Sequence, residues 1–304
     1  MWKKVFALII CFNLSYFYTY SSDCGCDGAA VSGITPIGGT TNIGIIKEKY
    51  FRLMTFYKFS YGNTYYQGSE KASQGIVNYY SSNYLAFVLG YGLLKNFTVE
   101  TEIGGFPDKT QDISGVKYYG SGLSHILLSA KYGLFQDTTN EFEITLGLGG
   151  RIPLQTDSNS VPMHIRSSTG AYGLAFQAYF HKGFKESGFH IFFISRTEIN
   201  SKNKQNYQYG TSFNNSLFFA KNLFENLSGI LEIRSENRLT DYSYGEKNPD
   251  SGGLILLLSP QINYSINDWN FSALFEYPMY QYYNGFQLGR NFSAALNLTY
   301  KFSI

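Results

Sequence analysis

The stretch SAALNLTYKFSI, Ser293 to Ile304, decides how the rest of the chain is read. Ala294, Leu296, Leu298, Tyr300, Phe302 and Ile304 alternate with Ser293, Ala295, Asn297, Thr299, Lys301 and Ser303. A repeat of two places one set on each face of a β-strand. The apolar set needs an apolar neighbour, and the question is which solvent supplies it.

The same pattern recurs upstream. FTVETEI sets Phe97, Val99 and Ile103 against Thr98, Glu100 and Glu102. EFEITLGL sets Phe142, Ile144, Leu146 and Leu148 against Glu141, Glu143 and Thr145. LSGILEIRSE sets Leu227, Leu231 and Ile233 against Ser228, Glu232, Arg234 and Glu236. WNFSALFEY sets Trp269, Phe271, Phe275 and Tyr277 against Asn270, Ser272 and Glu276. With the noisier runs, about twelve strands are expected from about Lys47 onward, and no segment carries a helical period.

The connections sort by length. Long polar segments such as GNTYYQGSEKASQGIVN, PDKTQDISGVKYYG, QTDSNSVPMHIR, NSKNKQNYQY and TDYSYGEKNPDSG alternate with short ones such as LKN, QDTTN, HKGFKES, KNLFEN and ND. MYQYYNG precedes the closing strand as a further connection. Short turns at one end and long loops at the other mark a transmembrane barrel. The fold class expected is all-β, a transmembrane antiparallel up-and-down β-barrel of about twelve strands in the bacterial outer membrane. The apolar face then meets lipid and the polar face lines the lumen. Trp269, Tyr277, Tyr132 and Tyr300 suit the interfacial aromatic girdles. The competing arrangement, a soluble sandwich or barrel with an apolar interior, would leave its charged face outside.

Composition agrees with this placement. The 304 residues include 27 Tyr and 26 Phe, only 15% are charged, and the net charge is +2, so no polyanionic partner is implied. Residues 1–22, with Lys3 and Lys4 before an apolar run, read as a secretory signal peptide. Residues 23–46 read as a periplasmic linker or plug, and 47–304 as the barrel. Cys24 and Cys26 supply too few ligands for a metal site or a disulfide framework.

Several segments follow one another in a familiar order: GLSHILLSAKYGLF, LGLGGRIPLQTDS, STGAYGLAFQAYFHKGFKESGFHIFFISRTEIN, and FEYPMYQYYNGFQL. In that order they resemble the outer-membrane family named for the meta-pathway of phenol degradation, over roughly Gly120 to Ile304. His125 stands where the family has Asp, and Leu154-Gln155 replaces its Thr-Gly. The resemblance implies a porin-like barrel that helps small hydrophobic or aromatic compounds across the membrane.

Chemistry is expected in the lumen. The period-two reading turns Arg52, Lys58, Glu100, Glu102, His125, Lys131, Glu141, Glu143, Arg196, Glu198, Glu232, Arg234, Glu236, Glu276 and Lys301 inward. Such a set can form a charged constriction for a solute, or the charges can pair with one another across a narrow bore. The histidines His125, His164, His181 and His190 are scattered, and no spacing marks a nucleophile with its base. No enzyme activity, metal or cofactor is therefore assigned. The expected partners are the outer-membrane bilayer and a small-molecule solute; no nucleic acid is expected, and monomer and trimer both stay open. An alternative function is a non-transporting barrel that anchors or displays its loops for adhesion or partner binding, since the outer tips KNKQNYQYG and DYSYGEKNPDSG are rich in Tyr and Asn.

Overall fold

In a bilayer core no water is present to bond backbone N–H and C=O groups, so strands can cross only as a closed ring. The computed structural model, which describes residues 44–154, 161 and 165–303, has that ring. Its twelve spanning strands are β1 (Tyr50–Gly62), β2 (Val77–Leu94), β3 (Phe97–Ile113), β4 (Val116–Asp137), β5 (Phe142–Pro153) and β6 (Gly173–Phe184). They continue as β7 (Phe189–Asn200), β8 (Ser212–Phe224), β9 (Leu227–Arg238), β10 (Gly253–Ile266), β11 (Trp269–Gly289) and β12 (Phe292–Ser303). Each pairs antiparallel with its chain neighbour, and β12 closes on β1 from Tyr50↔Ser303 to Tyr61↔Phe292.

The side chains are arranged inside out. Leu53, Phe87, Leu148, Phe176, Phe271 and Leu296 are exposed on the outer wall, Leu296 at 59%. Ser82, Thr98, Thr145, Gln261, Asn263, Asn297 and Thr299 are buried within. A soluble barrel would show the reverse. Around the closure, Phe51 stacks on Phe302, Trp269 on Tyr300 and Tyr300 on Phe302, with centroids 5.2, 4.4 and 5.5 Å apart. These rings share the end that carries the chain's first and last strand termini. Tyr132 and Tyr277 are also exposed on the wall.

Two expected connections are absorbed into the spanning strands. PDKTQDISGVKYYG is not a loop. It continues β3 and β4 into a tall hairpin whose tight turn places Ser114 at φ 51° and Gly115 at φ 89°. Its polar composition masked a strand that rises past the membrane, where an apolar face has no purpose. MYQYYNG likewise belongs to β11, with Gly285 at φ 62° supplying the bend after Asn284. Among the other long segments, GNTYYQGSEKASQGIVN contributes the short strand Thr64–Gly68, which pairs with β11, and most of QTDSNSVPMHIR lies outside the described residues. The other two build a small separate sheet from Tyr207–Gln208, Tyr242–Ser243 and Glu246–Lys247. The expected signal peptide, Cys24, Cys26 and His164 lie outside the described residues.

A charge on the lipid face tests the orientation. Leu296→Arg is expected to cost about 2–4 kcal/mol if this position lies near the bilayer midplane. The measurement is a denaturant titration of folding into lipid vesicles. A cost below about 0.5 kcal/mol would place this side chain away from hydrocarbon.

Candidate functional site: the charged lumen

Period two carries one side chain in every pair into the interior, and on most strands that side chain is polar. The inward residues of neighbouring and next-neighbour strands meet there as ion pairs. They form three groups.

The first lies toward the end holding the strand termini. Glu100 of β3 receives Arg52 of β1 on one oxygen and Lys131 of β4 on the other, the latter at 2.6 Å. Glu143 of β5 accepts from Thr145 at 2.7 Å. Lys301 of β12 is half-buried nearby, within electrostatic reach of Arg52.

The second group stands on β2 to β7. Glu102 is approached by His125 at 3.4 Å and by the Tyr84 hydroxyl at 3.2 Å. His125 Nδ1 lies 3.1 Å from Ser124 Oγ. Both Ser124 and His125 are buried because the ladder slips beside them, between Gly104 and Gly105. Glu198 pairs with Arg196 on its own strand and with Arg151 of β5 at 2.6 Å.

The third group spans β9 to β1. Glu276, 1% exposed, takes Lys58 at 2.6 Å and Arg234 on its two oxygens, with Arg290 at 3.9 Å. Arg234, 2% exposed, also reaches Glu236 at 3.2 Å and Glu232 at 3.4 Å. Arg290 reaches Glu236 at 3.1 Å, and Gln261 donates to Glu232 at 2.8 Å. Lys58, Arg234 and Arg290 thus balance Glu232, Glu236 and Glu276. Taking charges out of bulk water is costly, and mutual pairing offsets much of that cost.

Of the fifteen residues named above as candidates, fourteen fall in these three groups and Glu141 lies outside them. Glu141 does not sit on a strand: it precedes β5 in a turn at φ 49°, with its carboxylate over Gly183 of β6. Its carboxylate nevertheless lies on the inner face, with one oxygen buried and within electrostatic reach of His190 of β7. Arg151, Arg290 and Tyr84 complete the groups and were not singled out from sequence. Arg151 follows Glu143 by an even spacing, so its signal was present. Arg290 follows the β11 bend, where period two is lost. Tyr84 is an aromatic on the inner face, which composition alone assigns to lipid.

Two apolar features interrupt the polar lining. Tyr179, Phe192, Phe218, Ala220 and Ile230 form a buried patch on β6 to β9. Beside Tyr179 at the edge of this patch, the chain before β1 runs inside the barrel. Ile45 and Ile46 are buried, the Ile45 N–H donates to Glu143 at 3.0 Å, and the Ile46 N–H donates to Thr98 at 2.8 Å. Glycines make room for it: a Cβ on Gly92 would strike the Lys47 carbonyl, and one on Gly90 the Ile46 side chain. Among the described residues no group of three His, Cys, Asp or Glu side chains is placed to hold a metal.

No family model matches the chain, and no curated protein does. Solved structures do. The COG4313 outer membrane channel from Pseudomonas putida F1 superposes with a TM-score of 0.74 at 13% identity, over 87% of this chain and 99% of that one. The β domain of the Bordetella autotransporter BrkA superposes with a TM-score of 0.51 at 12% identity, over 84% and 100%. Identities this low speak for the fold. With the inside-out wall, they make the chain a twelve-stranded antiparallel barrel of the transmembrane kind.

Breaking the third group separates its members from Glu141. Glu276→Ala leaves Lys58, Arg234 and Arg290 without their shared carboxylate and is expected to destabilise by about 3–5 kcal/mol. Glu141→Ala is expected to stay within about 0.5 kcal/mol. Unfolding midpoints of both variants in vesicles make the comparison, and equal losses would contradict the network's role.

Proposed function

We propose that the barrel moves small solutes passively, with uncharged and apolar compounds favoured over ions. The observation that carries this reading is the self-neutralised lumen: its buried charges are committed to one another, as at Glu276 and Arg234. A path lined by cancelled charges offers no strong field of one sign to concentrate a particular ion. The apolar patch of Tyr179, Phe192 and Phe218 gives an apolar solute a place to rest. The resemblance to the phenol-pathway family and the likeness to an outer membrane channel support the same direction. This reading assigns no catalytic role, metal or cofactor to the chain.

Residues 23–46 act in this reading as a plug. Only Gly44 to Ile46 of that stretch are described, and they lie between Glu143, Thr98 and Tyr179. Gly44, Ile45 and Ile46 take up room inside the barrel and so narrow the route.

A second reading, the display of loops, draws on the ordered outer sheet. There the fully buried Asp241 accepts from the Tyr207 hydroxyl and the Gly210 N–H, both at 2.7 Å. Under this reading, deletion around Lys202 to Tyr207 abolishes partner binding while solute flux persists.

Single-channel recording in planar bilayers tests the first reading. The chain without residues 23–46 is expected to conduct several-fold more than the mature chain. Glu100→Ala with Glu102→Ala is expected to shift ion selectivity with the barrel intact. A folded, inserted chain that stays silent in every form, with no solute entry into vesicles, would overturn transport.

A further inference from the structure

The lipid-facing wall is apolar on β4 to β6 and on β10 to β12, but not on β7 to β9. There Ser195, Asn215 and Ser235 lie in one row, paired Asn215↔Ser195 and Asn215↔Ser235. All three belong to the outward set: Phe193, Leu217 and Ile233 are the outward residues one step below. The row runs into Ala178 of β6 on one side and Leu256 of β10 on the other. Thr197 and Asn237 flank Phe213 one step above.

Its height places it in hydrocarbon. Ser195 is six residues up from Phe189, the start of β7. At a rise of about 3.3 Å per residue and a tilt near 40°, that is about 15 Å of height, inside an apolar band about 25 Å tall. A polar group there needs a hydrogen-bond partner. Asn83, an outward residue on β2, has one in its own wall, since the Tyr57 hydroxyl donates to it at 2.5 Å. Ser195, Asn215 and Ser235 have no side-chain partner among the described residues.

We infer that this row is a docking surface for a second copy of the chain. The chemistry is self-complementary. A two-fold axis along the membrane normal sets the Asn215 amide of one copy against Asn215 of the other, donor to acceptor, and Ser195 against Ser235. A second copy oriented by the same membrane presents the row at the same height, which a lipid tail cannot do. Around the row the wall is low: Phe193, Phe213, Leu217 and Phe219 are only partly exposed and Leu231 and Ile233 reach 40% and 39%, whereas Phe87 and Leu296 protrude at 49% and 59%. A low face with a central hydrogen-bonding row suits isologous contact.

The test uses the full mature chain in phosphatidylcholine–phosphatidylglycerol vesicles, with a photoreactive amino acid at Leu217, just below Asn215, or at Leu146 on β5. Dimer adducts are expected from position 217 and not from 146. The combined variant Ser195→Val, Asn215→Leu, Ser235→Val is expected to associate on the order of tenfold more weakly, read by energy transfer between labelled copies. Dimer adducts equal at both positions, lipid adducts alone at 217, or undiminished association of the combined variant would each overturn the proposal. If the combined variant fails to fold, the comparison of positions 217 and 146 on the otherwise unaltered chain decides.

Discussion

The pairing of backbone N–H and C=O groups in a solvent that offers no substitute governs this molecule. An open sheet edge in hydrocarbon leaves a row of unmet donors and acceptors, each costing several kcal/mol. The β12–β1 ladder removes that edge. Every other property is subordinate to closure. The side chains are sorted by which face of the ring they reach, and the glycines, bends and slips sit where the ring must admit something or stop.

Closure also creates a second problem, an interior too narrow to behave as bulk water. Charges placed there meet each other before they meet solvent. The pairing of Glu100 with Arg52 and Lys131, and of Glu276 with Lys58 and Arg234, follows from that confinement. Several of these pairs bridge strands that are not neighbours in the ladder, so they link parts of the wall that the backbone does not.

The fold was legible because the membrane inverts a simple rule and leaves a plain trace. Leu296 and Asn297 alternate, and the structure exposes the first and buries the second. Inward charges such as Glu232 and Arg234 could be read from the same period. Legibility failed where the period failed. Polar residues around Ser114 belong to a hairpin above the bilayer, where neither face is selected for apolarity. Arg290 follows a bend at Gly285 that resets the alternation. Tyr84 shows a different limit, since an aromatic ring with a hydroxyl suits lipid and lumen alike until its partner Glu102 is seen. The entry of Ile45 and Ile46 into the barrel depends on space left by glycines on distant strands, which no local pattern announces.

That entry has a consequence for the lifetime of the barrel. The Ile45 and Ile46 amides bond to the side chains of Glu143 and Thr98, not to the strand ladder. Their release therefore breaks no backbone bond of the ring, whose nearest anchor to this segment is the Lys49 N–H on the Gly92 carbonyl at 2.8 Å. Thermal excursions of the segment are decoupled from the far slower event of unzipping a strand. The ring and the residues inside it are thus held by different kinds of bond, backbone ladder for one and side-chain acceptors for the other.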